Sequence, residues 1–296
     1  MSLQTIKRQL DRLYRQYNRR RFVPPDPLQA LYGYDDVRDR EIVGLVASAL
    51  AYGNVGQIGR SIAAVLERIS PPRAFLEQST HASLRTAFAG FKHRWTTGDE
   101  VADLLFGAKR AIERHGSLRA CFAAGLREDD ETVEGALSHF VRELKGGDDG
   151  ADCLPRGRKP YSGNAETGLS DAASLSHNSL LPLPERGSAC KRLNLFLRWM
   201  ARRDDVDPGG WNDVGPSRLI VPLDTHMHRL CRCLGLTRRK QADMRTALEV
   251  TAAFRTIAPD DPVRYDFALT RLGIHPDADV NAFLRECSVA SSRDDA

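Results

Sequence analysis

Apolar residues in this chain recur at steps of three and four, and no stretch sustains an alternation of two. Ile6, Leu10, Leu13, Tyr14 and Tyr17 set the pattern, which places all five on one stripe of a helix. A proline-rich break, Val23-Pro24-Pro25-Asp26-Pro27, separates them from Ile42, Leu45, Val46, Ala49 and Leu50. That second helix is expected to take Asp39 as its cap and to stop at Gly53-Asn54. Further helices are expected near residues 57–69, 99–115, 117–125, 132–144, 188–203, 225–234, 241–257 and 262–272. A chain patterned in this way is all-α.

With 296 residues, of which 42% are hydrophobic, the chain can bury one large core or two ordinary ones. Its longest nearly apolar run, residues 42–52, is too short to span a bilayer, and the N-terminus has no secretory pattern. A cytoplasmic protein without a membrane partner is expected. The six cysteines are scattered and form no C-x-x-C pair, which points to reduced thiols. Cys231 and Cys233 lie on roughly opposite faces of a helix. No metal and no cofactor is expected. Residues 146–180 hold six Gly and five Ser among few large apolar residues, so a disordered insertion is expected there. The alternative is a substrate-ordered flap using Arg156, Arg158 and Lys159. Net charge is +4, yet residues 190–245 alone carry twelve Lys or Arg against six Asp. The cationic surface is therefore local, as suits an anionic partner.

Two segments within that basic stretch can carry chemistry. In Leu183-Pro184-Glu185-Arg186-Gly187-Ser188-Ala189-Cys190-Lys191-Arg192-Leu193, a Pro/Gly turn leads to Ser188 as expected helix cap. Lys191 then falls in the first turn, where the helix dipole and Arg192 favour a neutral amine, the form a Schiff-base nucleophile needs. The plain alternative is a lysine facing water. In Pro222-Leu223-Asp224-Thr225-His226-Met227-His228-Arg229, Asp224 reads as the cap of a helix ended by Gly235. A capping carboxylate is held in one rotamer and kept ionised, which also suits it to stabilise positive charge. Asp-Thr-His-x-His has a second reading as the metal-binding strand of an amidohydrolase barrel. Only 72 residues follow Asp224, too few for the remaining strand–helix units, and helical spacing turns His226 and His228 apart.

The Asp224 segment is similar to the V-D-T-H-x-x-R-x-x-x-R-x run of the helix-hairpin-helix DNA glycosylases of the endonuclease III superfamily. With C-K-R-L-N-L-F-L-R-W-M and P-L-D-T-H-M-H-R, the whole chain resembles a bacterial family of unknown function, close to the archaeal 8-oxoguanine glycosylase branch. The 33-residue step from Lys191 to Asp224 is near that branch's spacing. Residues 264–273 resemble the late superfamily helix that ends in Gly.

The resemblance implies two helical domains, one mainly of residues 30–145 and one joining 1–29 to 181–296. It implies a monomeric DNA glycosylase and abasic-site lyase for a damaged purine, with Lys191 and Asp224 catalytic. Tyr52, Gly53, Asn54 and Gln57 would lie at the flipped base or wedge the duplex. Gly187 and Ser188, with Arg192, Arg229, Arg232, Arg238, Arg239 and Lys240, would meet phosphate. The chain departs from the superfamily in two ways. Its hairpin keeps one glycine and puts Glu185 where a positive φ is expected, and it lacks the cluster cysteines. The other reading is a non-catalytic module that binds DNA or structured RNA, in which Lys191 packs and Asp224 only caps.

Overall fold

The computed structural model describes residues 2–146, 178–273 and 279–289, and these are predominantly helical. The first helix, α1 (Leu3–Tyr17), begins where the Ser2 hydroxyl accepts from Thr5 N. Its stripe of Ile6, Leu10, Leu13 and Tyr17 is buried, which is the amphipathic arrangement its spacing requires.

α2 (Val37–Ala49) is different in kind, because every residue from Glu41 to Ala49 is buried. A helix surrounded on all sides occupies the centre of a fold. Asp36, not Asp39, caps it, accepting from Arg38 N. Asp39 sits inside the first turn and accepts instead from Arg73 N at 2.8 Å, which ties α2 to α4 (Pro72–Gln78). Buried Glu41 accepts from Leu118 N, Arg119 N and Trp211 Nε1. One carboxylate thus holds the start of α7 (Leu118–Ala123) and an indole against the central helix.

Asn54 does not end α2 but caps α3 (Val55–Arg68), and the chain turns between them at Gly53, where φ is +100°. The apolar spacing announces no element between residues 70 and 97. The structure has α4, α5 (His81–Ala87) and an antiparallel hairpin, β1 (Lys92–His93) with β2 (Thr96–Thr97). Helices of two turns and strands of two residues are too short to establish a period.

Next come α6 (Gly98–His115), α7 and α8 (Glu134–Lys145). α6 opens on a reciprocal Thr97/Glu100 capping box and closes on left-handed Gly116. The expected insertion at 146–180 lies almost wholly outside the described residues.

α9 (Lys191–Ala201), α10 (Thr225–Cys233), α11 (Met244–Ile257), α12 (Asp266–Leu272) and α13 (Val280–Val289) complete the chain. α9 packs along α2, while α12 and α13 pack on α1. Buried apolar side chains form a continuous cluster from Ile6 to Cys287. Within it lies a charged knot. Arg198 pairs with Asp207 and Asp266, and Arg202 with Asp204, Asp207 and Asp261, all brought in by α9, α12 and the loops beside them. Such charges are tolerated in a core only when paired this completely.

Candidate active site

Lys191 lies in the first turn of α9, as expected, and is the first residue of that helix. The entry is built differently from expectation. Ser188 does not cap the helix. Its hydroxyl accepts from Cys190 N at 3.2 Å, and Cys190, in the left-handed region at φ +46°, is the residue that leads into the helix. The hairpin-like turn is also corrected. Pro184–Arg186 is a tight helical turn, so Glu185 needs no positive φ, which falls on Gly187 at +83°. Glu185 faces outward to Arg142. Gly187 O accepts from Met244 N at 3.1 Å, anchoring the turn to the start of α11.

Asp224 caps α10 as expected, with Oδ1 accepting from Met227 N at 2.8 Å. Its other oxygen lies 3.5 Å from Lys191 Nζ. Both side chains are partly open to solvent, at 32% and 40%. Residues 33 positions apart thus meet across the N-termini of two helices, at a cleft of about 710 Å³ that both of them line.

The buried part of the cleft lining is charged as well as aromatic. It includes Arg198, Trp199, Asp266, Phe267 and Arg271. Arg271 pairs with Asp26 at 2.6 Å, and Arg198 with Asp266. Burial pushes the Asp266 carboxyl up to about 6 in spite of Arg198, with the nearby charge of Asp224 adding to the rise.

Of the four residues assigned to the base, Tyr52 and Gly53 line the cleft, whereas Asn54 caps α3 and Gln57 lies outside the lining. Tyr52 is held by the hairpin. Its hydroxyl donates to His93 O at 2.9 Å and shares a hydrogen bond with Thr96 Oγ1 at 2.7 Å. His93 in turn is buried and bonded to Ser61 Oγ and Tyr52 O, and burial lowers its proton affinity, so a neutral ring fixes this corner.

The sequence reading missed Trp95, which stacks on Tyr52 at 4.9 Å and is itself 62% exposed. Arg94, at φ +55°, lies over Trp95. A side chain at Gly53 would collide with Arg94, its Cβ falling 2.7 Å from Arg94 Cδ. The overlooked signal was the run Lys92-His93-Arg94-Trp95-Thr96-Thr97, whose two strands are shorter than any periodicity test can use.

The cations divide into two groups. Arg192 donates to Ala49 O at 2.7 Å and Ser179 O at 2.6 Å and lies over the Tyr52 ring, so it locks α9 to the end of α2. Arg239 is held by Thr246 Oγ1 and Asp243 Oδ2, both at 2.8 Å. Arg229, Arg232, Arg238 and Lys240 are exposed and line a shallow depression with Thr225, His228 and Thr237. Among the described residues none of these four makes an ion pair. His228 Nε2 donates to Arg239 O at 3.0 Å, while His226 turns toward Leu269 O. The two rings diverge as helical spacing requires.

A family model described as a protein of unknown function, DUF2400, matches residues 26–275. The chain belongs to this family. No curated protein and no solved structure matches it. The DUF2400 span contains Lys191, Asp224, the hairpin and all four unpaired cations of the depression, so the cleft and its basic neighbour belong to the matched region. Among the described residues no helix is long and apolar enough to cross a membrane.

Proposed function

We propose that the chain is a DNA N-glycosylase and abasic-site lyase that removes a damaged purine of the 8-oxoguanine type. The observation that carries this reading is the 3.5 Å approach of Lys191 Nζ to Asp224 Oδ2 at the edge of a cleft large enough for a base. The proposal includes the helix-hairpin-helix two-domain division, 30–145 against 1–29 with 181–296, and a monomer that acts on DNA without a cofactor.

On this reading the target nucleotide leaves the stack and enters the cleft between Tyr52 and Phe267. The C1′–N bond breaks with its electron pair departing on the base, while the Lys191 amine forms a bond to C1′. Asp224 Oδ2 stabilises the positive charge at C1′ and takes a proton from Nζ. The departing base takes up a proton from solvent, the proton held by Asp224 passes to O4′ as the C1′–O4′ bond breaks to give the Schiff base, and loss of the C2′ proton to solvent expels the 3′ phosphate. Asp224 is suited to this because its cap contact occupies Oδ1 and leaves Oδ2 facing the amine.

Borohydride reduction during incubation with abasic or 8-oxoguanine duplex tests the proposal. A covalent adduct that Lys191→Ala abolishes is the expected result, and failure to trap across a broad lesion panel overturns it. A second reading, the non-catalytic DNA- or RNA-binding module, is favoured by the unpaired cations beside the cleft and by exposed Trp95. It predicts tight binding with no adduct.

A further inference from the structure

The C-terminal end of α6 and one face of α8 bring together a group of ligands far from Lys191. His139 and Glu143 stand four residues apart on α8, hence on one face, and His115 is the last residue of α6. One donor atom from each of the three lies within 4.8 Å of the other two. His115 Nε2 donates to Glu143 Oε2 at 3.1 Å, and Arg114 Nη1 donates to the same oxygen at 3.0 Å. His115 and Glu143 are only 19% and 14% exposed.

The remaining member is anomalous. His139 Nε2 is buried and has no hydrogen-bond partner among the described residues. Buried imidazole nitrogens are ordinarily satisfied, and one that is not calls for an unseen partner. Its ring is seated against Gly125, where any side chain would collide, since a Cβ there would fall 2.7 Å from His139 Cβ and 2.9 Å from Cδ2. The backbone has therefore made room for this ring in a place where Nε2 meets no acceptor among the described residues.

We infer that His115, His139 and Glu143 form a binding site for a divalent transition ion of the zinc class. Two imidazoles and a carboxylate are the ligand types that such an ion takes, and three of them leave a fourth position to water. Binding replaces the proton between His115 Nε2 and Glu143. A neutral His115 moves that proton to Nδ1, and a charged one releases it to solvent. Arg114, half exposed, turns from Oε2 into water. The ion then clasps α6 to α8. The site is independent of the Lys191 chemistry and shares no residue with the cleft.

The test uses the full chain, stripped of metal by chelation and titrated with Zn²⁺ by calorimetry and with Co²⁺ by visible absorption. Saturable binding of one ion per chain is expected, with a rise in melting temperature. Glu143→Gln and His139→Ala should each weaken binding by more than the roughly 10–100-fold that loss of an outer-shell partner causes, and the ion should no longer raise their melting temperatures. Cys233→Ser, which removes an exposed thiol elsewhere, should bind as the unaltered chain does. Should His139→Ala fail to fold, Glu143→Gln decides alone. Absence of saturable binding, or equal affinity in the unaltered chain and the Glu143 variant, overturns the site.

Discussion

Asp224 divides its two oxygens between tasks, one on Met227 N and one toward Lys191. Asparagine caps helices about as well as aspartate, so Asp224→Asn should change the melting temperature little while slowing the chemical step by orders of magnitude. Lys191→Gln should abolish borohydride trapping yet leave duplex affinity within a few fold, because it keeps most of the stem. A normal turnover rate in Asp224→Asn would reduce that residue to a cap. Trp95 permits a separate test. Since its ring is largely exposed, Trp95→Ala should melt like the unaltered chain, yet weaken binding to nucleic acid by about 1–3 kcal/mol if a base stacks there. Titration of duplex with each protein measures it. Asp266 has a pH signature. Burial raises its carboxyl from an ordinary 3.8 to about 6, so the folded chain binds that proton more tightly than the unfolded one. The resulting stability is fully present below the unfolded value and is lost as pH rises through about 6. Melting temperatures of Asp266→Asn and the unaltered chain, compared from about pH 4 to about pH 7, should show that fall only where Asp266 is present.

Each helix serves the site through what its face touches. α9 presents Lys191 at its start and carries Arg198 and Arg202 into the charged knot, so the nucleophile's helix is fixed by ion pairs as well as by packing on α2. α10 begins at the cleft with Asp224 and carries Arg229 and Arg232 to the basic depression, coupling the two surfaces through one rigid element. α6 and α8 approach so closely that a Cβ on Gly107 would lie 2.0 Å from Leu144 O. That neighbour is backbone and cannot turn aside. Gly107→Ala should therefore cost at least the roughly 1–3 kcal/mol of ordinary overpacking, read as a lower denaturant midpoint. An unchanged midpoint would mean that the two helices can separate freely.

For the whole molecule, the unpaired cations beside the cleft set the expected salt response. If Arg229, Arg232, Arg238 and Lys240 meet phosphate, the logarithm of the duplex association constant should fall with the logarithm of salt at a slope of about −3 to −4. Replacing Arg238 and Lys240 by Gln should reduce that slope by about two. A slope near zero in the unaltered chain would assign this face another purpose. Local pattern was enough to establish the helical class, the cap on Asp224, the stop at Gly235 and the divergence of His226 and His228, because each depends on spacing or on one residue's bond to its own backbone neighbours. Asp36 displaced Asp39 as a cap because two acids three positions apart are equivalent in sequence until the backbone chooses one. Arg192 and Arg239 could not be told from Arg229 and Arg232, since a cation's exposure depends on which distant carbonyls and carboxylates surround it. Trp95 against Tyr52, Lys191 beside Asp224 and His115 beside Glu143 likewise became visible only in three dimensions. Sequence by itself determined most of the helical segments and which faces they bury, because those follow from spacing within a few residues. Tertiary structure alone decided which charged and aromatic side chains meet, because such meetings are set by how the helices pack.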